Sequence, residues 1–284
     1  MDATIPSVPV LVPGRHNQGV SRRRIILDAT NGMVRAALED DFHHFEVDLF
    51  HDGARVLEVE GRARRTPWTT CPSARAVLQR LVGAELGPEI LRRSGLPDPL
   101  QQCTHMFDLA LLAIAQAVRG GRRQYDTSVL DRIGRTLFPE LDAEGRSIVP
   151  QHPDGCTRAE LRRDGELLLC WDIESDKITG PAPFDGVEIR RLTRWGEGRL
   201  DDDGFEALRV LQRALLVSGG RVNRHDELPS AAYIPAGLGS CLIQQPDNAA
   251  TALRVRRSSR DFTHHSEALL SDFDDAGPWV EESD

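Results

Sequence analysis

Between residues 20 and 120 the apolar residues of this chain change period, from every second position to every third or fourth. That change constrains the fold more than any other feature. His44 to Phe50 alternates: Phe45, Val47 and Leu49 share one side, while His44, Glu46 and Asp48 share the other. Arg55 to Ala63 alternates again, after the turn signal His51-Asp52-Gly53. Two earlier strand-like segments, Arg24 to Ala29 and Met33 to Leu38, flank Asn31-Gly32, a pair suited to a tight hairpin turn. These four segments predict an antiparallel meander with one covered face and one partly wet face. From Cys71 the spacing becomes helical. Cys71-Pro72-Ser73 opens a helix to about Val82, with Pro72 in its first turn and Gly83 beyond its end. A short helical piece spans about Pro88 to Arg93, and Gly95 to Pro99 reads as loop. A stronger helix runs from about Thr104 to Val118 and stops at Gly120-Gly121.

The expected fold class is therefore α+β: an N-terminal antiparallel β-meander followed by helices, then a smaller second α+β unit and an irregular tail. The length of 284 residues allows one large domain or two modest ones. The reading along the chain is a disordered arm (1–20), an α+β domain (21–121), an irregular junction (122–155), a hairpin-plus-helix unit (156–221) and an irregular, partly disordered tail (222–284). In the second unit, Thr157 to Arg163 and Glu166 to Asp172 form a hairpin around Asp164-Gly165. Asp176 to Thr179 and Val187 to Leu192 add strands, and Asp201 caps a helix reaching about Leu216. The tryptophans Trp68, Trp171 and Trp195 are expected in the core.

A formal charge of -9 argues against a general nucleic-acid binder, which needs a basic face to neutralise phosphates. No run approaches the ~18 apolar residues of a membrane span. Residues 1–17 lack the basic start and apolar stretch of a signal peptide. A cytoplasmic location with reduced thiols is expected, with no nucleic acid and no membrane as partner. The five cysteines are odd in number and widely spaced, which is not a disulfide framework.

Cys103-Thr104-His105 stands where loop becomes helix. Unpaired N–H groups and the positive end of the dipole bias a thiol there towards thiolate, the form that binds metal. Cys71 has the same position at another helix start. His43 begins the central strand of the meander. Helices packed on the sheet would bring His43, Cys71, Cys103 and His105 together as a soft site for zinc or iron. Asp108, three positions after His105, shares its helix face and would orient it. In an enzyme built on that site, His44 or Asp108 would carry protons. The alternative is that Cys71 and Cys103 are small core residues of a non-catalytic interaction module. No phosphate-binding glycine pattern and no G-x-S-x-G elbow is present.

The stretch from about Phe42 to Ala117 resembles the bacterial family known as domain of unknown function 2889. The shared features are His43 at a strand opening, Cys71-Pro72 at a helix start, Leu81-Val82-Gly83, and Cys103-Thr104-His105 before a helix. The later stretch Ala159 to Arg221, with Arg163-Asp164-Gly165, Trp171 and Glu206-Ala207, looks like the C-terminal part of longer members. The order of elements is also similar to NifU-type iron–sulfur scaffold domains (a NifU/SufE-like layout). In that likeness Cys71 matches the middle cysteine, and Cys103 and His105 fall at a His-Cys pair in altered order and spacing. His43 stands near the first cysteine, and His44 near the scaffold's Asp. The resemblance implies a zinc, iron or iron–sulfur site. Three functions stay open: a metal-binding protein, a metal-dependent hydrolase or lyase acting on a small acyl or carbonyl substrate, and an interaction module. A small-molecule substrate or a partner protein is the implied partner.

Overall fold

A computed structural model describes residues 8–11, 19–93, 101–132, 155–222, 225–234 and 241–275. The expected loop at Gly95 to Pro99, most of the N-terminal arm, residues 133–154 of the junction and residues 276–284 of the tail lie outside these.

The meander forms as the alternation predicts. Strands β1 (Val20–Thr30), β2 (Met33–Asp40), β3 (His44–His51) and β4 (Val56–Arg65) pair antiparallel in sequence order. Asn31-Gly32 makes the first turn, with Gly32 at φ 77°, a conformation that suits glycine. The sheet then extends past β1. Strand β5 (Gly121–Leu130) pairs with β1, and β6 (Cys156–Arg163), β7 (Glu166–Glu174) and β8 (Lys177–Gly180) follow. The result is one eight-stranded antiparallel sheet of order β4-β3-β2-β1-β5-β6-β7-β8. Residues 122–130, expected as irregular junction, thus belong to the strand that joins the two halves. Tyr125, Thr127 and Val129 face inward at every second position.

Helix α1 (Thr104–Arg119) lies across the meander and buries most of its length. Leu109, Ala110, Ala113, Ile114 and Ala115 join Ile25, Leu27, Phe45 and Val47 in one core. Each such leucine or isoleucine withdrawn from water contributes about 1.5–3 kcal/mol. Residues Cys71–Leu81 form a 3₁₀ helix, with buried Cys71, Ala74, Leu78 and Leu81 spaced three and four apart. A second 3₁₀ helix covers Pro88–Arg92. The expected strand at Val187 to Leu192 is absent. Ile189–Arg191 is a 3₁₀ turn that runs into a short helix, α2 (Leu192–Gly196). The buried pair Ile189 and Leu192 is three apart, a spacing that fits a helical turn and not alternation.

Helix α3 (Asp202–Ser218) begins as predicted: the Asp201 carboxylate accepts the Gly204 N–H at 2.8 Å. Glu206, fully buried, ties α3 to its surroundings. It accepts from Arg119 of α1 at 2.6 Å and from the Tyr125 hydroxyl of β5.

The other face of the meander is covered by the irregular C-terminal segment. Leu270 and Phe273 pack on Ile26 and Ala37. Arginines from the sheet donate to its carbonyls: Arg22 to Thr263, Arg24 to Leu269 and Arg35 to Phe273. Leu270 and Phe273, in the tail expected to be irregular and partly disordered, are therefore packed. Trp68 and Trp171 are buried as expected, and Trp195 packs partly buried against the same core as Trp171.

Candidate functional site: a histidine pair beside an arginine-lined cleft

Strand β2 ends in a tight connection, Asp40-Asp41-Phe42-His43, before β3. The backbone closes it, with the Asp40 N–H donating to the His43 carbonyl at 2.9 Å. The Asp40 side chain closes it a second time. Its Oδ1 accepts the N–H groups of Phe42 and His43, each at 2.8 Å, an Asx-turn arrangement. The same oxygen contacts His43 Nδ1 at 3.0 Å. Oδ2 accepts from Arg23, whose Nε lies at 3.0 Å and which stands opposite Asp40 in the β1–β2 register. Arg65 of β4 holds the outside of the turn, donating to the carbonyls of Asp40, Asp41 and His43.

His43 stacks on His105, the second residue of α1, with ring centroids 3.9 Å apart and planes at 27°. Phe45 stacks beside both rings. One donor atom from each of Asp40, His43 and His105 lies within 4.8 Å of the others. His105 Nε2 is buried and, among the described residues, has no hydrogen-bond partner. Burial opposes ionisation of Asp40, yet His43 and Arg23 hold its carboxyl well below the usual range. Burial, with His43 and Arg23 nearby, pushes His105 well below its ordinary value, so its imidazole is neutral. A neutral ring with an open nitrogen is the form that ligates a metal or accepts a proton.

Of the six residues singled out from sequence, the structure brings His43 and His105 together. Cys71 and Cys103 do not join them: no three of His43, Cys71, Cys103 and His105 have donor atoms within 4.8 Å of one another. Four tetrahedral ligands at metal–donor distances of about 2.0–2.3 Å would satisfy that separation. Cys71 packs with Trp68, Ile243 and Ala249, and Cys241 rests against the same cluster. Cys103 sits in the main core, where the neighbouring Gln102 carbonyl accepts the Leu242 N–H at 2.8 Å. The expected bias towards thiolate is reversed. Burial raises both thiols, Cys103 to about 12.

His44, the expected proton carrier, falls on the opposite side of β3 from the core residue Phe45. It sits between Glu39 and Glu46, 3.7 and 3.8 Å away. Asp108, the other, does not serve His105. Its two oxygens accept from Arg209 at 3.0 Å and Arg213 at 2.7 Å, both on α3. Burial opposes its ionisation, but Arg213 and Arg209 keep the Asp108 carboxyl below the usual range.

His105 and Asp108 line a cleft between α1, α3 and the sheet, together with Arg23, Arg209 and Arg213. The cleft has a volume of about 380 Å³ counting the solvent at its open mouth. Sequence reading missed Asp40 and Arg23. Both left a signal. Arg23 has the parity of the inward-facing Ile25 and Leu27, and Asp40 opens a four-residue turn that ends in His43.

The fold and this centre define an α+β protein with a carboxylate–imidazole pair stacked on a second imidazole whose Nε2 is buried. Residues 27–119 match the model of an uncharacterised family, described as Protein of unknown function (DUF2889). The match runs from β1 to the end of α1 and includes Asp40, His43, Cys71, Cys103 and His105, but not Arg209 or Arg213 of α3. No curated protein and no solved structure matches the chain. Neither comparison shows the NifU-type likeness. Among the described residues no helix is long and apolar enough to cross a membrane.

Proposed function

We propose that the chain is a metal-binding protein, with zinc or iron held by His43 and His105 and with Asp40 as the carboxylate behind His43. The observation that carries this reading is the buried His105 Nε2, which lacks a partner beside an imidazole that Asp40 orients. A buried polar atom without a partner costs about 1–3 kcal/mol, so a ligand at this position would be stabilising. The bond from His43 Nδ1 to Asp40 leaves Nε2 as the lone-pair nitrogen, the tautomer that metal-bound histidines with a carboxylate behind them adopt. Both Asp40 oxygens are already engaged, by two backbone N–H groups, His43 and Arg23. Asp40 thus orients a ligand and does not itself replace one. Two imidazoles suit zinc or iron and leave coordination positions for water or substrate.

A second reading is favoured by the cleft that shares His105. There the metal would polarise a carbonyl or activate water, as in a hydrolase or lyase acting on a small acyl or carbonyl substrate.

Elemental analysis of protein purified without chelator, followed by zinc titration after stripping, tests the first reading. One ion per chain is expected, with His43→Ala and His105→Ala each weakening zinc at least about tenfold. Equal zinc affinity in wild type and both variants would overturn it.

A further inference from the structure

The cleft has a charge pattern that the histidine pair does not explain. Three guanidiniums line or border it, those of Arg23, Arg209 and Arg213. Two carboxylates answer them: Asp40, which takes Arg23 Nε and Nη2, and Asp108, which takes Arg209 Nη2 and Arg213 Nε. One positive charge is left over. Its donors are also uncommitted. Among the described residues, neither Nη group of Arg213 has a hydrogen bond, and Arg23 has none from Nη1. The Arg23 side chain is 3% exposed, so its charge is held in a low-dielectric setting where an anion is worth more than in water. The Arg213 side chain is 25% exposed, which places it at the mouth. The remaining wall is apolar, with Ile25, Leu38, Leu109 and Leu112. A single surplus charge matches a monoanion, and an apolar wall matches a short hydrocarbon tail. Planar forks such as Arg213 favour a carboxylate, which they can grip with two parallel bonds.

We propose that this cleft binds a small aliphatic monocarboxylate, with its oxygens on Arg213 and Arg23 and its tail against Leu38, Leu109 and Leu112. No donor of His43 enters the site, and the inference stands apart from the metal. The cleft joins residues of β1, β2 and α1 to residues of α3, so both halves of the chain grip the carboxylate, Arg23 from β1 and Arg213 from α3, while the first half alone supplies the imidazoles. Where both ligands bind, the carboxylate would lie next to His105, the arrangement a carboxylate-bearing substrate of a metal centre requires.

Calorimetric titration of chelator-treated protein with acetate, propanoate and butanoate, and separately with inorganic phosphate, tests this without metal. Affinity is expected to rise about fourfold with each added methylene, from the transfer free energy of one CH₂. Phosphate, with its higher charge and no apolar part, is expected to bind more weakly than butanoate. Arg213→Gln should weaken butanoate at least about tenfold, because a charge-assisted bidentate contact is lost. Arg209 still pairs with Asp108 in that variant, and its thermal unfolding confirms that it folds. Should it not fold, Arg213→Lys keeps the charge but loses the fork and should weaken butanoate several-fold. No binding by any carboxylate, tighter binding of phosphate, or unchanged butanoate affinity in the folded Arg213 variant would each overturn the proposal.

Discussion

Cys103 and His105 are two residues apart at one helix start, yet they meet opposite surroundings. Cys103 turns into the main core beside the Gln102–Leu242 contact and becomes a protonated thiol. His105 turns towards His43, Asp40 and the arginine-lined cleft and keeps a nitrogen without a partner. The difference shows which effect wins at a buried helix start. The dipole favours an anion there by about 0.3–1 kcal/mol. Raising Cys103 from 9.0 to about 12 corresponds to about 4 kcal/mol against the thiolate, with burial the largest cause. Helix position alone does not activate a thiol once the surrounding side chains exclude water.

The comparison can be broken most sharply at Asp40. Its removal leaves Arg23 buried without its partner and frees the turn N–H groups, so Asp40→Ala should cost about 3–5 kcal/mol in urea unfolding. A loss below 1 kcal/mol would show that this carboxylate does not organise the imidazole side. The thiol side gives the next largest effect. Cys156 is exposed while Cys71 and Cys103 are buried. Iodoacetamide followed by mass spectrometry should label Cys156 at least about a hundredfold faster in the folded protein, because attack needs an accessible thiolate. Comparable rates would mean the core thiols are open.

A milder change at the same centre, Asp40→Asn, should lower zinc affinity about 10–100-fold by removing the carboxylate behind His43. Cys103→Ala should leave zinc affinity unchanged and cost about 1 kcal/mol of stability, read from the shift of the urea midpoint. The smallest effect is a pH dependence. The folded value for His105 lies well below its usual 6.5, so the unfolded chain takes up that proton first as pH falls. The stability it contributes is whole above pH 6.5 and is lost as pH drops below it. In metal-free protein, His105→Gln should lessen the loss of urea stability between pH 7.5 and 5.5. An unchanged loss would place the acid sensitivity elsewhere.

Much of the fold was legible because strand alternation and helix caps are local. The four meander strands, α1 and the Asp201 cap of α3 follow from residues within a few positions of each other. Strand β5 was missed because it follows directly on the helix stop at Gly120-Gly121 and has only Tyr125, Thr127 and Val129 facing inward. Its pairing with β1 joins segments a hundred residues apart, and no local pattern encodes that. The histidines were legible as chemistry but their company was not. Which side of α1 meets the sheet decides that His105 faces His43 while Cys103 does not. The C-terminal segment, which reads as irregular, decides the rest. Leu242 docks beside Cys103, and Cys241 rests against the cluster around Cys71. The arginines of the cleft come from β1 and α3, and only the tertiary fold brings Arg23 and Arg213 to the same imidazole.

The imidazole-centred account meets its most direct test in a cobalt(II) titration of stripped, reduced protein, followed by absorption spectroscopy. Nitrogen and oxygen ligation through His43 and His105 predicts visible d–d bands that are lost in His105→Ala, without sulfur-to-cobalt charge transfer in the near ultraviolet. A strong charge-transfer band that survives His105→Ala and vanishes in Cys71→Ser or Cys103→Ser would contradict it and move the metal to the thiols.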